Sequence, residues 1–249
     1  MKKLLYTPLF LVFLLLITEH LQAQTFNKRF TGFSRKKLIY IETEDGKKIQ
    51  GYLNGLKKDK GLIKTVKFKD KIERKLELEA SQIKRMYLFP SSYAKVEGIL
   101  LQNDAVSSWG NESFIDTSLI KQGYALFEKV VIQVEEKAKK GKVMKEKEVM
   151  LQLLNPHFSV RIKVYDNPNT ENSALIEVGG ISVVKGTAVT YYIKKSADKV
   201  ALKIYSWDYS KKFADIFGDS QDFMEKYGEK PLWMHLERDI YQYTLLTSK

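Results

Sequence analysis

The densest group of lysine side chains lies between residues 137 and 147, where lysine occurs six times and the single acid is Glu146. Closely spaced ammonium groups bind anions through charge-assisted hydrogen bonds. The run is therefore a candidate anion contact. The alternative is a solvated hairpin tip, in which charge discourages pairing with the edge of a second sheet. The six residues are Lys137, Lys139, Lys140, Lys142, Lys145 and Lys147.

A second candidate group is aromatic and lies in the last quarter of the chain. Tyr192, Tyr205 and Trp207 could stack on a sugar ring, because aromatic side chains offer large, flat apolar faces. The strand alternation places Tyr192 and Tyr205 on the side that faces water. The alternative for such rings is core packing beneath the terminal helices.

Motifs for catalysis and for metal binding are missing from the sequence. The chain contains no cysteine, which excludes thiolate nucleophiles and thiolate metal ligands. His157 and His235 lack neighbouring ligands at the spacing that zinc requires. Neither a Gly-x-Ser-x-Gly elbow nor a glycine-rich phosphate loop is present. We therefore predict no catalytic, cofactor-binding or metal-binding residue and no cofactor.

The first twenty-three residues have the features of a secretory signal peptide. Lys2 and Lys3 precede an apolar run, and the small residue Ala23 offers a cut site before Gln24. The run at residues 4–17 is shorter than the about 20 residues that a spanning helix needs, and no later segment is long enough. We predict cleavage between Ala23 and Gln24 and export to the periplasm or the medium, with a retained anchor as the alternative. A lipoprotein would need a cysteine at the cut site.

The chain is strongly basic, with a formal net charge of +12. Cleavage after Ala23 would lower this by one, because the leader carries two lysines and one glutamate. Such a surplus attracts acidic partners over long distances. Nucleic acid is a common partner of basic proteins, but export argues against it. We expect an envelope protein or an anionic envelope polymer such as lipopolysaccharide; the alternative is that the lysines only keep the surface soluble.

Short alternating segments separated by turns predict an α+β fold that is mainly β. Residues 24–37 are expected to form a flexible basic lead-in. Residues 38–90, with a hairpin turn at Asp45-Gly46, predict a small β-domain with a barrel-like or curved sheet. Residues 91–123 are predicted to be a linker, in which Val96 and Ile99 fit one face of a short helix. Residues 124–249 predict an antiparallel β-meander followed by helices.

The C-terminal helices are recognised from the spacing of their apolar residues. Tyr209, Phe213 and Phe217 recur at helical intervals, and Leu236 and Ile240 do so further along. A short polar side chain between two helices favours the start of the second, so Asp219 or Ser220 is expected to cap that helix. Because short helices are unstable alone, these apolar faces must pack on the sheet or on each other.

Two resemblances add to this interpretation. The strand, acidic-Gly turn and Gly51-Tyr52-Leu53 strand of residues 38–89 resemble the Sm-like small barrels, which implies a fold and no function. The whole layout is similar to that of uncharacterised exported proteins of Gram-negative bacteria, and this likeness implies no activity. The residues that carry it are Ala23-Gln24, Gly51-Tyr52-Leu53, Tyr191-Tyr192 and Phe217-Gly218-Asp219.

Together these observations predict a non-enzymatic binding or assembly component of the cell envelope that contacts acidic partners through its surface. Two alternatives stay open. Paired carboxylates for sugar hydrolysis cannot be recognised in a sequence, so a glycan- or lipid-processing enzyme could assemble its site from distant residues. A carbohydrate-binding module could use the tyrosine and tryptophan face.

Overall fold

The computed structural model describes residues 25–91, 115–138, 141–168, 175–178, 181–184 and 189–248. These residues form twelve strands and four α-helices. The strands are β1 (Leu38–Thr43), β2 (Lys48–Asp59), β3 (Leu62–Asp70), β4 (Lys75–Glu79), β5 (Ile83–Leu88), β6 (Ala125–Ala138), β7 (Gly141–Gln152), β8 (Ile162–Asp166), β9 (Leu175–Val178), β10 (Ile181–Val184), β11 (Thr190–Lys195) and β12 (Val200–Tyr205). The helices are α1 (Thr117–Lys121), α2 (Tyr209–Phe217), α3 (Gln221–Tyr227) and α4 (Leu236–Thr247).

A closed antiparallel barrel is formed by six of the described strands, in the order β1-β2-β3-β7-β6-β5. The circle closes where Ile63 of β3 pairs with Met150 of β7. Ile41, Phe68 and Phe127 belong to the core that fills it, because alternate residues of each strand point inward. The predicted small β-barrel within a mainly β fold is therefore confirmed.

The barrel takes its strands from both of the predicted units. β1, β2, β3 and β5 come from residues 38–90, whereas β6 and β7 lie beyond residue 123. β4 pairs with β3 alone. The helix predicted around Val96 and Ile99 lies outside the described residues. How the chain divides into domains stays a prediction, but the barrel closes only when both parts contribute.

A second layer of strands continues from β6. β12, β11 and β8 pair in antiparallel order, as predicted, whereas β12 pairs with β6 in parallel, which an antiparallel meander does not predict. Leu153, which follows β7, bridges to Tyr165 of β8. A second core joins Tyr87 and Leu126 of the barrel wall to Tyr165 and Tyr192 of this layer. The outer face of the barrel wall is thus buried around Tyr87 and Leu126.

The C-terminal helices cover the other face of the second layer. Phe213, Phe217 and Phe223 pack with Ile193 and Ile204 of the sheet in a third core. The apolar faces predicted from helical spacing are therefore buried, as expected. In the described part of the chain, no helix combines the length and the apolar composition needed to cross a membrane.

Residues 25–34, which we call the strap, were expected to be flexible but are bound to three parts of the fold. The amide of Phe26 donates to Glu237 of α4 at 3.2 Å, and the Arg29 guanidinium lies 3.2 Å from Asp166 of β8. The amide of Ser34 donates to the carbonyl after β5. Because paired charges and backbone hydrogen bonds fix the segment, its basic composition does not make it mobile.

Gln152 provides a test of the strap. Its side chain accepts from the amide of Phe30 at 3.0 Å and donates to the carbonyl of Lys28 at 2.7 Å. Gln152→Met keeps the size but removes both hydrogen bonds, so the free energy of unfolding should fall by about 2 kcal/mol. Urea denaturation measures it. Gln133→Met, at an exposed position of the same hairpin, should lower the free energy of unfolding by less than about 0.5 kcal/mol. Equal losses in the two variants would mean that Gln152 does not hold the strap.

Candidate anion-binding site

Three charged residues lie side by side on the outer wall of the barrel. Glu42 of β1 pairs with Arg85 of β5, and Arg85 pairs with Glu128 of β6. The neighbouring row on this face contains Tyr40 and Tyr87, which belong to the second core. We call Glu42, Arg85 and Glu128 the polar row. All three are less than 10% exposed, at 5%, 8% and 6% respectively.

The carboxylate of Glu42 is held by two cations. The ammonium of Lys84 donates to one oxygen at 2.8 Å, and the guanidinium of Arg85 lies 3.0 Å from the other. A buried charge without a partner costs several kcal/mol, so such pairing is required at this depth. Both oxygens of Glu42 are therefore occupied.

Glu128 is held from the second layer. One of its oxygens accepts from the ammonium of Lys163 at 2.7 Å and from the hydroxyl of Tyr165 at 2.9 Å. Burial, together with the charge and hydrogen bond of Glu128, raises the pKa of Tyr165 well above its usual range. The hydroxyl of Tyr165 therefore keeps its proton and serves as a donor.

A cleft of about 330 Å³ opens where the polar row meets β8 and β11. This volume lies at the lower end of the range for small-molecule sites, about 300–1,000 Å³. Glu128 is the acid in its wall, and six of the lining residues are basic. We call it the cationic cleft. Its basic residues are Lys84, Arg85, Lys129, Lys163, Lys194 and Lys195.

Two of these lysines face each other across neighbouring strands. Lys163 of β8 lies directly opposite Lys194 of β11, an arrangement in which like charges destabilise a sheet. Lys163 is neutralised by Glu128. Within the described ranges, the ammonium of Lys194 has no hydrogen bond and no ion pair. The cleft therefore presents one uncompensated cation, which an incoming anion would neutralise.

Lys129 lies at the entrance of the cleft and is paired with two acids. Its ammonium is 2.7 Å from Glu44 and 3.4 Å from Glu148. Burial alone lowers the pKa of Lys129, but the hydrogen bonds and charges of Glu44 and Glu148 outweigh it and raise the pKa above its usual value. Lys129 therefore carries its charge throughout the neutral range.

Of the two residues predicted to cap the second helix, α3, Ser220 and not Asp219 lies at the N-cap position. The carboxylate of Asp219 accepts from the ammonium of Lys195 at 3.0 Å and from the hydroxyl of Tyr243 at 2.9 Å. Although partial burial raises the pKa of Asp219, these two hydrogen bonds outweigh it and hold the pKa below its usual value. Asp219 thus fixes Lys195 from the helical layer.

The described lysines of the run lie on the β6–β7 hairpin, and none of Lys142, Lys145 and Lys147 lines the cationic cleft. Lys142 forms an ion pair with Glu135, and Lys145 lies 2.9 Å from Glu136. Both acids are on the opposite strand, so the antiparallel register brings the charges together. The sequence pattern did not reveal these ion pairs, because it considers charges along one segment and not across two paired strands.

The remaining lysines of the run are less paired or lie outside the description. Lys147 is close to Lys64 of β3, and this contact, with burial, lowers the pKa of Lys147. Lys139 and Lys140, with the side chain of Lys137, lie outside the described residues. An anion contact by the run stays a prediction.

The three candidate stacking residues are not brought together. Tyr192 is 5% exposed and packs in the second core, because the second layer is covered by the barrel on one face and by helices on the other. Tyr205 and Trp207 stack with ring centroids 4.6 Å apart. Trp207 is 64% exposed. The ammonium of Lys203 lies 4.6 Å from the Tyr205 ring centroid.

The histidines lie away from the cleft. His157 is in the turn Pro156–Phe158, and His235 is in the turn Trp233–His235 before α4. Across the residues that the structure describes, no group of three or more His, Asp or Glu side chains is placed to hold a metal ion. The cationic cleft is the feature with the clearest chemistry.

Sequence reasoning missed the cleft because its residues come from four strands that are distant in the chain. One local signal was available. Glu128 shares a strand face with Leu126 and Val130, and a lone carboxylate on an apolar face needs a buried partner. Lys163, between Ile162 and Val164, gives no such signal, because strand alternation places its side chain toward water. The signal at Glu128 does not identify which residues meet.

Comparison of the chain with protein-family models, curated proteins and solved structures finds no match. The function of the cleft must therefore be argued from its own residues.

The ion pair of Asp219 predicts a pH-dependent stability. Because its folded pKa is below the unfolded value, the stabilisation is complete at neutral pH and fades as the pH falls below about 4. Asp219 is 56% exposed, so screening limits the effect of Asp219→Asn at pH 7 to about 0.5 kcal/mol. Urea denaturation should show the difference from the parent shrinking at pH 3. Glu229→Gln, at an exposed position, is the control; an Asp219→Asn effect that grows in acid would contradict the assignment.

Proposed function

We propose that this protein is an exported, non-enzymatic binding component of the cell envelope that holds an anionic envelope polymer in the cationic cleft. The observation that carries the proposal is the position of Lys194, which faces Lys163 and has no acid partner in the described residues. A phosphate or carboxylate group in the cleft would contact both ammonium groups and remove their repulsion.

The size and shape of the cleft favour a sugar-sized acidic group. A volume of about 330 Å³ suits a small polar moiety, whereas a standard protein interface buries about 800 Å² of each partner. Envelope polymers repeat acidic sugar units, so one unit could occupy the cleft while its neighbours contact lysines outside it. An acidic protein is the alternative partner, and a binding experiment separates the two.

The ion pairs and hydrogen bonds of the polar row favour a binding function over a catalytic one. Glu42 accepts from Lys84 and forms an ion pair with Arg85, and Glu128 accepts from Lys163 and Tyr165. A catalytic carboxylate must exchange a proton with a substrate, whereas these two carboxylates are engaged by other side chains of the protein.

The leader supports the envelope part of the proposal. Lys2, Lys3, the apolar run and Ala23 are signal-peptide features; these residues lie outside the described part of the chain. The compartment proposed on these features is the periplasm or the medium. Recovery of the unprocessed chain from the cytosol would contradict this part.

Lys194→Met tests the cleft directly. Lipopolysaccharide is the probe, and its affinity is measured by calorimetry at low salt. Loss of one hydrogen bond from a charged donor costs about 1.5 kcal/mol, so the variant should bind about tenfold more weakly. Added salt should weaken binding by the parent, because exposed charges are screened.

Lys211→Met is the matched control for this experiment, because it removes the same charge from an exposed position of α2. It should change the affinity less than about twofold, as screened surface charges contribute little. Equal losses in both variants would mean that bulk charge binds the polymer. Polyglutamate serves as a second probe: if it binds and lipopolysaccharide does not, the partner is an acidic protein and the polymer proposal is wrong.

The stacked pair Tyr205–Trp207 favours a second candidate function, a carbohydrate-binding surface. Trp207 presents a largely exposed ring supported from behind by Tyr205. A sugar ring could pack on that face, since aromatic side chains contribute large apolar contacts. Such a surface would act independently of the cleft and would bind neutral sugars.

Trp207→Ala tests this second function. Neutral hexasaccharides of glucose and of N-acetylglucosamine are titrated and binding is followed by intrinsic fluorescence of the parent and by calorimetry of both proteins. Loss of a stacking ring should weaken binding at least tenfold, about 1.4 kcal/mol. Tyr52→Ala, at another exposed aromatic residue, should leave the affinity unchanged. Failure of the parent to bind either sugar would rule out this function for these sugars.

A further inference from the structure

A small cavity lies at the mouth of the barrel, beneath the strap. Its volume is about 100 Å³. The inner wall is apolar and is formed by Ile63, Phe127 and Met150, which belong to the barrel core. Phe30 and Phe33 of the strap close it from the outside. Barrel mouths are among the places where proteins bind small ligands.

The rim of this cavity is cationic. Arg29 and Lys58 both line it, with Asp166 as the carboxylate in its wall. Arg29 is paired with Asp166 at 3.2 Å. Lys58 donates to the carbonyl of Thr31 at 3.3 Å, and it has no acid partner in the part of the chain that the structure describes.

The environment of Lys58 favours an anion beside it. Burial and the charge of Arg29 together lower the pKa of Lys58 below its usual value. The protein therefore holds two cations near each other, and the one carboxylate of the cavity wall is paired with Arg29. A second carboxylate at the rim would restore the balance.

We propose that the barrel mouth binds a small amphipathic carboxylate, with its apolar end on Phe127 and Met150 and its carboxylate against Lys58 and Arg29. The site is separate from the cationic cleft, since none of its residues line both. It therefore stands independently of the envelope-polymer proposal.

The volume limits the length of the ligand. A cavity of about 150 Å³ holds one benzene molecule, with six carbon atoms. By proportion, the barrel mouth takes about four carbon atoms, which makes butanoate the matching probe. Each buried methylene group contributes about 0.8 kcal/mol, or about fourfold in affinity. Longer chains must extend into water and gain nothing more.

A ligand series tests the proposal on the purified protein. Acetate, butanoate, octanoate and butanamide are titrated, and binding is followed by the amide NMR signals of Phe30 and Met150. Affinity should rise about fourfold per methylene from acetate to butanoate and stay level at octanoate. Butanamide should bind about tenfold more weakly, because it lacks the charge that strengthens the hydrogen bonds.

Two lysine variants provide the matched comparison. Lys58→Met should weaken butanoate binding about tenfold, whereas Lys57→Met, the neighbour that does not line the cavity, should have less than a twofold effect. Lys58 is exposed enough that its variant should fold, and thermal unfolding checks this. Equal affinity for butanamide, continued gain at octanoate, or equal effects of the two variants would each overturn the proposal. Lys194→Met should leave this site unchanged.

Discussion

The strand β6 changes its partner part-way along one edge, and the cationic cleft exists because of that change. Glu128 is paired with Arg85 of β5, whereas Val131 is paired with Val200 of β12. The other edge pairs with β7 along its length. On the edge that pairs with β5 and then with β12, no strand among the described residues pairs with β6 between Glu128 and Val131. One strand therefore closes the barrel, starts the second layer and leaves the opening in which the cleft lies.

The polar row fills the margin of that opening at a considerable energetic cost. Moving a charged group out of water costs several kcal/mol per ion, and apolar residues of similar volume are often as stable. This cost is offset if the buried charges hold ligand-binding side chains in position. Glu42 and Glu128 hold Arg85 and Lys163 in fixed positions, so the donors of the cleft need little ordering when an anion arrives. The same contacts that bury the row thus prepare the site.

Prediction from sequence succeeded where the signal was local. Alternation identified the strands of residues 38–88, the turn at Asp45-Gly46 and the helix faces around Phe213. It failed where neighbours are distant. Tyr192 was placed toward water because one strand cannot report that its second layer is covered on both sides. The lysine run was visible because its members are consecutive, whereas Lys194 becomes notable only when Lys163 is found opposite to it.

The charged residues of the strap contribute both to the stability of the fold and to the cavity at the barrel mouth. Burial raises the pKa of Asp166, and the charge of Arg29 opposes this rise. Arg29 therefore keeps a buried carboxylate charged and holds the strap on β8 at the same time. A ligand carboxylate at the barrel mouth would have to share Arg29 with Asp166, whereas Lys58 has no acid competing for it in the described residues. We therefore expect Lys58 to determine the affinity for an anion. Arg29 is expected to hold the strap in the position that closes the cavity.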